Sequence, residues 1–107
     1  MVDAVARVTG AMDYALDIQL PGMLQTRILR SPHAHARVLR VDASRAAAMR
    51  GVTVLTRDDI LGRDDINLNF GLFIRDQPPV ALDKVRHVGD PVAAVAAPDE
   101  ATAEEAL

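Results

Sequence analysis

The chain is constrained most by a rigid corner between two strand-forming segments. Residues 23–30 are apolar and tolerate an extended backbone, and a proline–glycine pair separates them from what precedes. Ser31 and Pro32 then impose an extended or turn geometry, because the proline ring clashes with a helical residue before it. The chain resumes as an extended segment over 37–42. We therefore predict a strand, a corner and a second strand, and this stretch carries no catalytic machinery of its own.

The segment before the corner also has the character of β-structure. Residues 4–9 form a short β-prone run that Gly10 ends. Residues 12–20 carry apolar side chains at every second position with polar residues between them, and this alternation is typical of a half-buried strand. Tyr14 shares its predicted face with Leu16, so we expect Tyr14 in the core.

Two helix starts follow the corner. Asp42 is a good N-cap residue, and the alanine-rich residues 43–50 predict a helix of about two turns. Thr56 can cap a second short turn, because Asp58 and Asp59 favour the positive end of a helix dipole.

Three further segments predict strands. The composition of 52–55 predicts a buried strand. Residues 83–88 predict a strand with Val85, and less clearly His87, facing inward. The continuous apolar run 92–97 is typical of a strand buried on both faces.

The segment from Gly62 to Pro79 predicts a long surface loop with one extended piece near 70–74. Loops of this length inside a small domain usually have a function or a partner. The apolar residues near 70–74, with Phe70 among them, either cover the core or dock on another surface.

A helix is predicted at the end of the sequence, with Asp99 as its N-cap and 101–107 as its body. It reaches Leu107 without a stop signal, which suggests a natural chain that continues further. Most predicted strands precede or lie between only two main helices, and they are mostly antiparallel. This order indicates an α+β fold rather than a doubly wound α/β fold.

Composition narrows the class of protein. A length of 107 residues predicts a single domain spanning 1–107. Three aromatic residues and a net charge of -3 argue against a nucleic-acid surface. The absence of cysteine excludes disulfides, thiolate metal sites and cysteine-ligated iron–sulfur clusters within this sequence. No apolar run is long enough to span a bilayer and no signal peptide is visible, so we predict a cytoplasmic location.

The histidines are the first candidates for chemistry. His33 and His35 would share a face if they lay on a strand, and metal ligands use this spacing. A third ligand would be needed, and His87 is far away in the sequence. The alternative is that the two histidines hydrogen-bond the backbone at the corner or face solvent. We expect no metal site.

The other polar candidates also have structural explanations. The carboxylate pairs at 58–59 and 64–65 point apart as sequence neighbours, and the first is explained by a helix start. The pair at 104–105 lies on the solvent face of the predicted last helix. Ser31 and Ser44 lack the glycine context of a nucleophile elbow, and no glycine-rich phosphate loop is present. We therefore expect no catalytic and no cofactor-binding residue in this chain.

Several spaced motifs together resemble the start of the molybdopterin-binding subunit of the xanthine dehydrogenase and aldehyde oxidase family. The resemblance covers nearly the whole chain, and the motifs occur in the family's order. They are Arg7-Val8-Thr9-Gly10, Tyr14 with Asp17-Ile18 and Leu20-Pro21-Gly22-Met23-Leu24, Arg30-Ser31-Pro32-His33-Ala34-His35-Ala36-Arg37-Val38, Gly51-Val52, Val54-Leu55-Thr56, Asp59-Ile60, and Leu82 with Lys84-Val85-Arg86 and Val88-Gly89-Asp90-Pro91-Val92-Ala93-Ala94-Val95-Ala96-Ala97.

The resemblance implies an α/β hammerhead domain, the N-terminal domain of the large subunit. It implies a molybdenum hydroxylase that oxidises an aldehyde, an N-heterocycle, an aromatic thioester or a similar carbon centre with water-derived oxygen. The family's molybdopterin and catalytic glutamate belong to regions downstream of this one, and its [2Fe–2S] clusters and FAD to partner domains or subunits, usually in an oligomer. The resemblance therefore implies a non-catalytic scaffold domain.

The match has two departures. His87 stands where an aromatic residue is more usual, and the segment 62–79 aligns least well. A second hypothesis is a stand-alone, non-enzymatic binding module with a hammerhead-like fold.

Overall fold

The computed structural model describes residues 3–65 and 69–107. The elements in chain order are α1 (Ala4–Thr9), β1 (Gln25–Arg30), β2 (Ala36–Arg37), α2 (Ser44–Ala47), β3 (Thr53–Leu55), α3 (Arg57–Ile60), β4 (Lys84–Val85), β5 (Pro91–Ala97) and α4 (Glu100–Glu105).

The strands form two antiparallel sheets. Strand β5 lies in the centre of a three-stranded sheet between β1 and β3, and β2 pairs with β4 in a two-stranded sheet. The small sheets and short helices confirm the predicted α+β fold. β5 is central because its run of valine and alanine offers small or β-branched side chains to both neighbours.

The main core lies on one face of the three-stranded sheet. Val95 and Ala97 of β5 pack there against Ala103 and Ala106 from the C-terminal helix region. Partly buried side chains from and beside α2 and β3 complete the cluster; they are Ala46, Met49, Val52 and Val54. Alanine at the contact lets α4 approach the sheet closely, as close packing of an interior requires.

Polar contacts hold α4 in place. The Asp99 carboxylate accepts a hydrogen bond from the Thr102 backbone N–H at 2.8 Å, as predicted for an N-cap. Arg27 of β1 forms an ion pair with Glu100 and lies 3.6 Å from a Glu104 carboxylate oxygen. The register places Arg27 opposite Val95, on the same face as the core. The last helix is therefore tied to the edge strand as well as to the central one.

The corner after β1 is fixed by hydrogen bonds, as its sequence predicts. Buried Ser31 accepts the His33 backbone N–H at 3.0 Å through its Oγ atom, and the same hydroxyl donates to the His33 carbonyl at 3.1 Å. The Ser31 N–H and carbonyl bond to Asp90 and Gly89, at 2.9 and 2.8 Å. The corner is thus joined to the turn that leads into β5.

The two strands predicted before the corner are wrong. Residues 4–9 form α1, and Gly10 ends it with a φ of +70°. Over the described residues no strand lies beside this segment, and a helix satisfies its own backbone hydrogen bonds without a neighbour. Residues 12–20 contain a turn, in which the Asp17 carboxylate accepts the Tyr14 N–H at 2.9 Å. Tyr14 is 51 % exposed, so its predicted place in the core is also wrong.

The elements after the corner are shorter than predicted. The strand expected over 37–42 is limited to β2, and the helix expected over 43–50 is the single turn of α2. Ala43 occupies the N-cap position, although the Asp42 carboxylate does accept the Ser44 N–H at 3.2 Å. This bond from a backbone N–H to a nearby side chain turns the chain at Asp42 and competes with a longer strand.

Burial of three strands differs from prediction. β3 lies at a sheet edge and only Val54 is even half-buried, so the strand is not a buried one. β5 is buried on one face, while its other face is half-buried. In β4, Val85 is buried as predicted, but His87 follows the strand and is exposed. Helices cover only one face of the three-stranded sheet, so its strands bury the side chains of that face and leave those of the other face partly exposed.

The predicted surface loop is confirmed over the described part of 62–79, but the extended piece expected near 70–74 is wrong, because 72–74 form bends. The described residues of the loop are irregular apart from a bridge between Phe70 and Gln77, and Asn67 of the predicted loop lies outside the described ranges. Among the helices that the structure describes, none has the length and apolar character needed to cross a membrane.

Candidate docking surfaces

The histidines proposed from the sequence lie in separate environments. His33 and His35 belong to the corner rather than to a strand, and both are exposed. His87 Nδ1 lies 3.0 Å from the Val88 carbonyl, and its Nε2 lies 3.8 Å from an Asp90 carboxylate oxygen. Over residues 3–65 and 69–107 no three His, Cys, Asp or Glu side chains form a group that could hold a metal ion.

The carboxylates serve local structure. Asp59 accepts the backbone N–H of Thr56 at 2.7 Å and the Thr56 hydroxyl at 2.8 Å, and these two bonds hold the pKa of Asp59 below its ordinary value. Asp65 has a lowered pKa because Arg63 donates hydrogen bonds to it. A general acid needs the opposite shift to be protonated near neutral pH. The helix start predicted from Asp58 and Asp59 is confirmed as α3.

A cavity of about 390 Å³ lies between α2, α4 and the core face of the sheet. Its apolar lining includes Met49, Val54 and Val95, and its charged lining includes Arg45 and Glu105. Half of the apolar lining residues belong to the core cluster itself. The cavity is therefore a packing gap between the helices and the sheet rather than a separate binding site.

The opposite face of the three-stranded sheet is apolar and half-exposed. In the register of the sheet, Ala94 of β5 lies between Ile28 of β1 and Leu55 of β3, so these three side chains form one cross-strand row. Ile28 is 43 % exposed and Leu55 is 40 % exposed. The next row consists of Thr26, Ala96 and Thr53. We call the two rows the open sheet face.

A second apolar surface is the tip of the long loop. Leu72, Phe73 and Ile74 are all strongly exposed, Phe73 by 94 %. The sequence left open whether these residues cover the core or dock elsewhere. They do not cover the core.

The third surface is a wide groove of about 710 Å³ along β2 and β4. We call it the cationic groove. Its charged lining comprises Arg37, Arg57 and Lys84 against one carboxylate, Asp83, and His35 lines it as well. The Arg57 guanidinium donates to the Val38 carbonyl at 2.6 Å, which fixes one cation at the groove.

Comparison with known proteins identifies the family. Residues 9–107 match the model of the family described as "Aldehyde oxidase and xanthine dehydrogenase, a/b hammerhead domain". The chain belongs to this family, which confirms the resemblance seen in the sequence.

Individual relatives agree with the family. The chain is 43 % identical to a probable xanthine dehydrogenase component of Bacillus subtilis, over 98 % of this chain and 14 % of the relative. It is 39 % identical to the nicotinate dehydrogenase large molybdopterin subunit of Eubacterium barkeri, over 99 % of this chain and 24 % of the relative. These relatives are oxidoreductase subunits, and the chain spans less than a quarter of their length.

Solved structures show the same fold. CO dehydrogenase from Oligotropha carboxidovorans superposes with a TM-score of 0.87 at 36 % identity, over 98 % of this chain and 13 % of that one. Quinoline 2-oxidoreductase from Pseudomonas putida 86 superposes with a TM-score of 0.82 at 35 % identity, over 97 % of this chain and 14 % of that one.

Reasoning from the sequence missed the open sheet face and the cationic groove. Each depends on which residues pair across strands, and register is a long-range property. One signal was present for the open face. Segment 23–30 places apolar residues on both sides of an extended chain, with Leu24 on the side of Ile28 and Met23 on the side of Leu29, so each face offers apolar side chains to a neighbour.

Proposed function

We propose that this chain is the hammerhead domain of a molybdenum hydroxylase large subunit and that it acts there as a non-catalytic docking scaffold. The open sheet face carries the proposal, since a row of Ile28, Ala94 and Leu55 across three strands offers apolar area without a partner in the described chain. Contiguous exposed apolar surface is typical of interaction sites. The domain would span 1–107 and form the N-terminal part of a longer chain.

Size and shape support a role within a larger assembly. The radius of gyration is 17.6 Å, whereas a compact chain of this length has about 13 Å. Nine apolar residues of the described chain are buried, and five of these are alanine. Large apolar side chains such as Leu16, which is 97 % exposed, lie outside this small core.

The proposal extends to the complete enzyme. Substrates would be aldehydes, N-heterocycles, aromatic thioesters or similar carbon centres, and molybdopterin would supply the oxidation chemistry when bound. No three His, Cys, Asp or Glu side chains of the described residues cluster as a metal site would require. The proposal assigns no catalytic, cofactor-binding or metal-binding residue and no chemical step to this chain. The partners would be the downstream molybdopterin-binding domains, and iron–sulfur and FAD domains or subunits, in a cytoplasmic oligomer.

Polar substitution of the open sheet face tests the scaffold role. Ile28→Asn together with Leu55→Asn, made in the complete large subunit, should lower the yield of assembled enzyme in size-exclusion chromatography. Full burial of an exposed side chain of this size contributes about 1.5–3 kcal/mol, and an interface would supply the fraction that belongs to the 43 % of Ile28 and the 40 % of Leu55 still exposed.

The matched control is Val5→Asn together with Val8→Asn. Both valines are strongly exposed, and both lie outside the region that matches the family. The control pair should leave assembly unchanged. Equal assembly of both double variants would contradict the scaffold role and favour the stand-alone binding module.

A further inference from the structure

Two cations face each other across the smaller sheet. Arg37 of β2 and Lys84 of β4 are direct partners in the antiparallel register. Directly opposed residues project from the same face of a sheet, and like charges in this position are destabilising. Within residues 3–65 and 69–107 neither side chain forms an ion pair, and the Asp83 carboxylate of the groove lining interacts with Lys84 only at longer range. The fold therefore retains an unfavourable pair that Asp83 offsets only in part.

The surroundings of this pair reinforce its charge. Arg57 lines the same groove, and its guanidinium donates to the Val38 carbonyl; its acidic neighbour Asp58, at 3.5 Å, does not line the groove. The one carboxylate of the lining, Asp83, lies 3.4 Å from Arg86 and is thereby shared with another cation. The whole chain carries a net charge of -3, whereas the lining of the groove is positively charged.

Arg37 and Lys84 differ in position from other cationic residues that form no ion pair. Arg50 and Arg75, for example, have no ion pair within the described residues, but neither lines the groove. A convex, solvated arginine is stabilised by water, whereas charges gathered in a concavity concentrate the field that attracts an oppositely charged partner.

The shape of the groove indicates the size of its occupant. A volume of about 710 Å³ is more than a single small anion needs. Its lining also contains apolar Leu39, which is 85 % exposed, and Leu82. A polypeptide segment can offer carboxylates to the cations and an apolar side chain to the leucines at once.

We propose that the cationic groove docks an acidic segment of the same large subunit, from the part that lies outside these 107 residues. This inference rests on the proposed function. The chain spans 14 % of its relative from Bacillus subtilis, so most of such a protein lies outside it. A segment of the same chain is tethered and reaches the groove at a high effective concentration. Its carboxylates would pair with Arg37 and Lys84 and remove the repulsion between them.

Zero-length cross-linking of the intact enzyme tests the occupant. A water-soluble carbodiimide joins an amine to a carboxylate as an amide, with loss of water, only where the two groups touch. Lys84 is the sole lysine of these 107 residues, so its cross-linked peptide is easily identified by mass spectrometry. We expect an amide between Lys84 and an Asp or Glu of the large subunit beyond residue 107.

Other products of the same experiment overturn the proposal. Coupling of Lys84 only to Asp83, to a different subunit or to a second copy would do so, and so would a Lys84 that does not couple at all. The conservative variant Lys84→Arg keeps the charge and removes the reactive amine. It should assemble normally and lose the cross-linked peptide.

Charge reversal provides an independent measurement. Arg37→Glu with Lys84→Glu should lower the assembled fraction of the complete enzyme about tenfold at low salt, the factor expected for the loss of two partly exposed ion pairs. The control Arg50→Glu with Arg75→Glu changes the net charge equally outside the groove and should stay within about twofold, the range of a single weak surface pair. Equal assembly of the two variants would overturn the proposal.

The two proposals can fail separately. If the groove variants assemble normally while the variants of the open sheet face do not, the scaffold role stands and the acidic segment is wrong. If the variants of the open sheet face assemble normally while the groove variants do not, and Lys84 couples within the large subunit, the acidic segment stands and the open sheet face is not the essential contact.

Discussion

At the scale of single residues, the start of α3 depends on a few short hydrogen bonds. Asp59 accepts two of them from buried Thr56, one from its backbone N–H and one from its hydroxyl. The backbone bond and then the hydroxyl bond hold the pKa of Asp59 below its ordinary value of 3.8. A carboxyl group with a lowered pKa in the folded state stabilises that state when it is ionised.

Removal of this carboxylate should cost stability in a pH-dependent way. At pH 7, Asp59→Ala should lower the free energy of unfolding by about 1 kcal/mol, the usual cost of a lost helix cap. The difference from the unsubstituted protein should persist above pH 4 and shrink as the pH falls through 3.8 towards the lowered pKa, because Asp59 then becomes protonated in the folded state. Denaturant unfolding between pH 7 and pH 3 measures it.

Asp58→Ala is the matched control for this prediction. Asp58 is exposed and lies 3.5 Å from the Arg57 guanidinium, a contact that contributes little. A loss of stability at Asp58 as large as that at Asp59, or a difference at Asp59 that does not vary with pH, would contradict the role of the cap.

At the scale of elements, α4 packs on the sheet through alanine. Ala103 on the helix and Ala97 on β5 are both fully buried in the same cluster. The helix can lie close to the strand only while these side chains stay small. The sequence predicts both elements, but the contact between them depends on which helix face meets the sheet.

Enlargement of this contact should destabilise the fold. Ala103→Leu should lower the free energy of unfolding by about 1–3 kcal/mol, because the added atoms have no space in the core. Ala101→Leu makes the same change at an exposed position of the same helix and should be close to neutral. Thermal unfolding of both variants checks the prediction, and equal midpoints would show that α4 does not pack as described.

At the scale of the whole molecule, exposed apolar surface and an extended shape fit a domain that works within an assembly. The radius of gyration of 17.6 Å and the small alanine-rich core describe a chain with much contact surface. They agree with the proposal that the catalytic residues lie in other parts of the large subunit.

The isolated 107-residue chain should therefore be inactive. Incubated with aldehydes or purines and an artificial electron-accepting dye, it should reduce no dye, and metal analysis should find no stoichiometric molybdenum. The complete large subunit assembled with its partners serves as the positive control. Dye reduction or stoichiometric molybdenum in the isolated chain would show that the assignment of no catalytic or cofactor residue is wrong.

Local sequence determined the features that depend on neighbouring residues. Pro21 and Gly22 form the predicted turn, in which the Met23 N–H donates to the Leu20 carbonyl at 3.0 Å. Thr56 and Asp99 begin the predicted helices, and the apolar run that becomes β5 is the predicted strand. The spaced motifs also sufficed for the family. Each of these signals lies within a few residues of the element it specifies, so no distant partner is needed to interpret it.

Only the tertiary structure decided which apolar segments are buried and which residues face one another. The sequence of 12–20 alternates like that of a strand. The segment nevertheless contains a turn held by Asp17, because no described strand pairs with it. Ile28 with Leu55, and Arg37 with Lys84, become neighbours only through strand register. Register and burial are set by contacts between residues far apart in the chain, and a local pattern carries the tendency of a segment but not its partner.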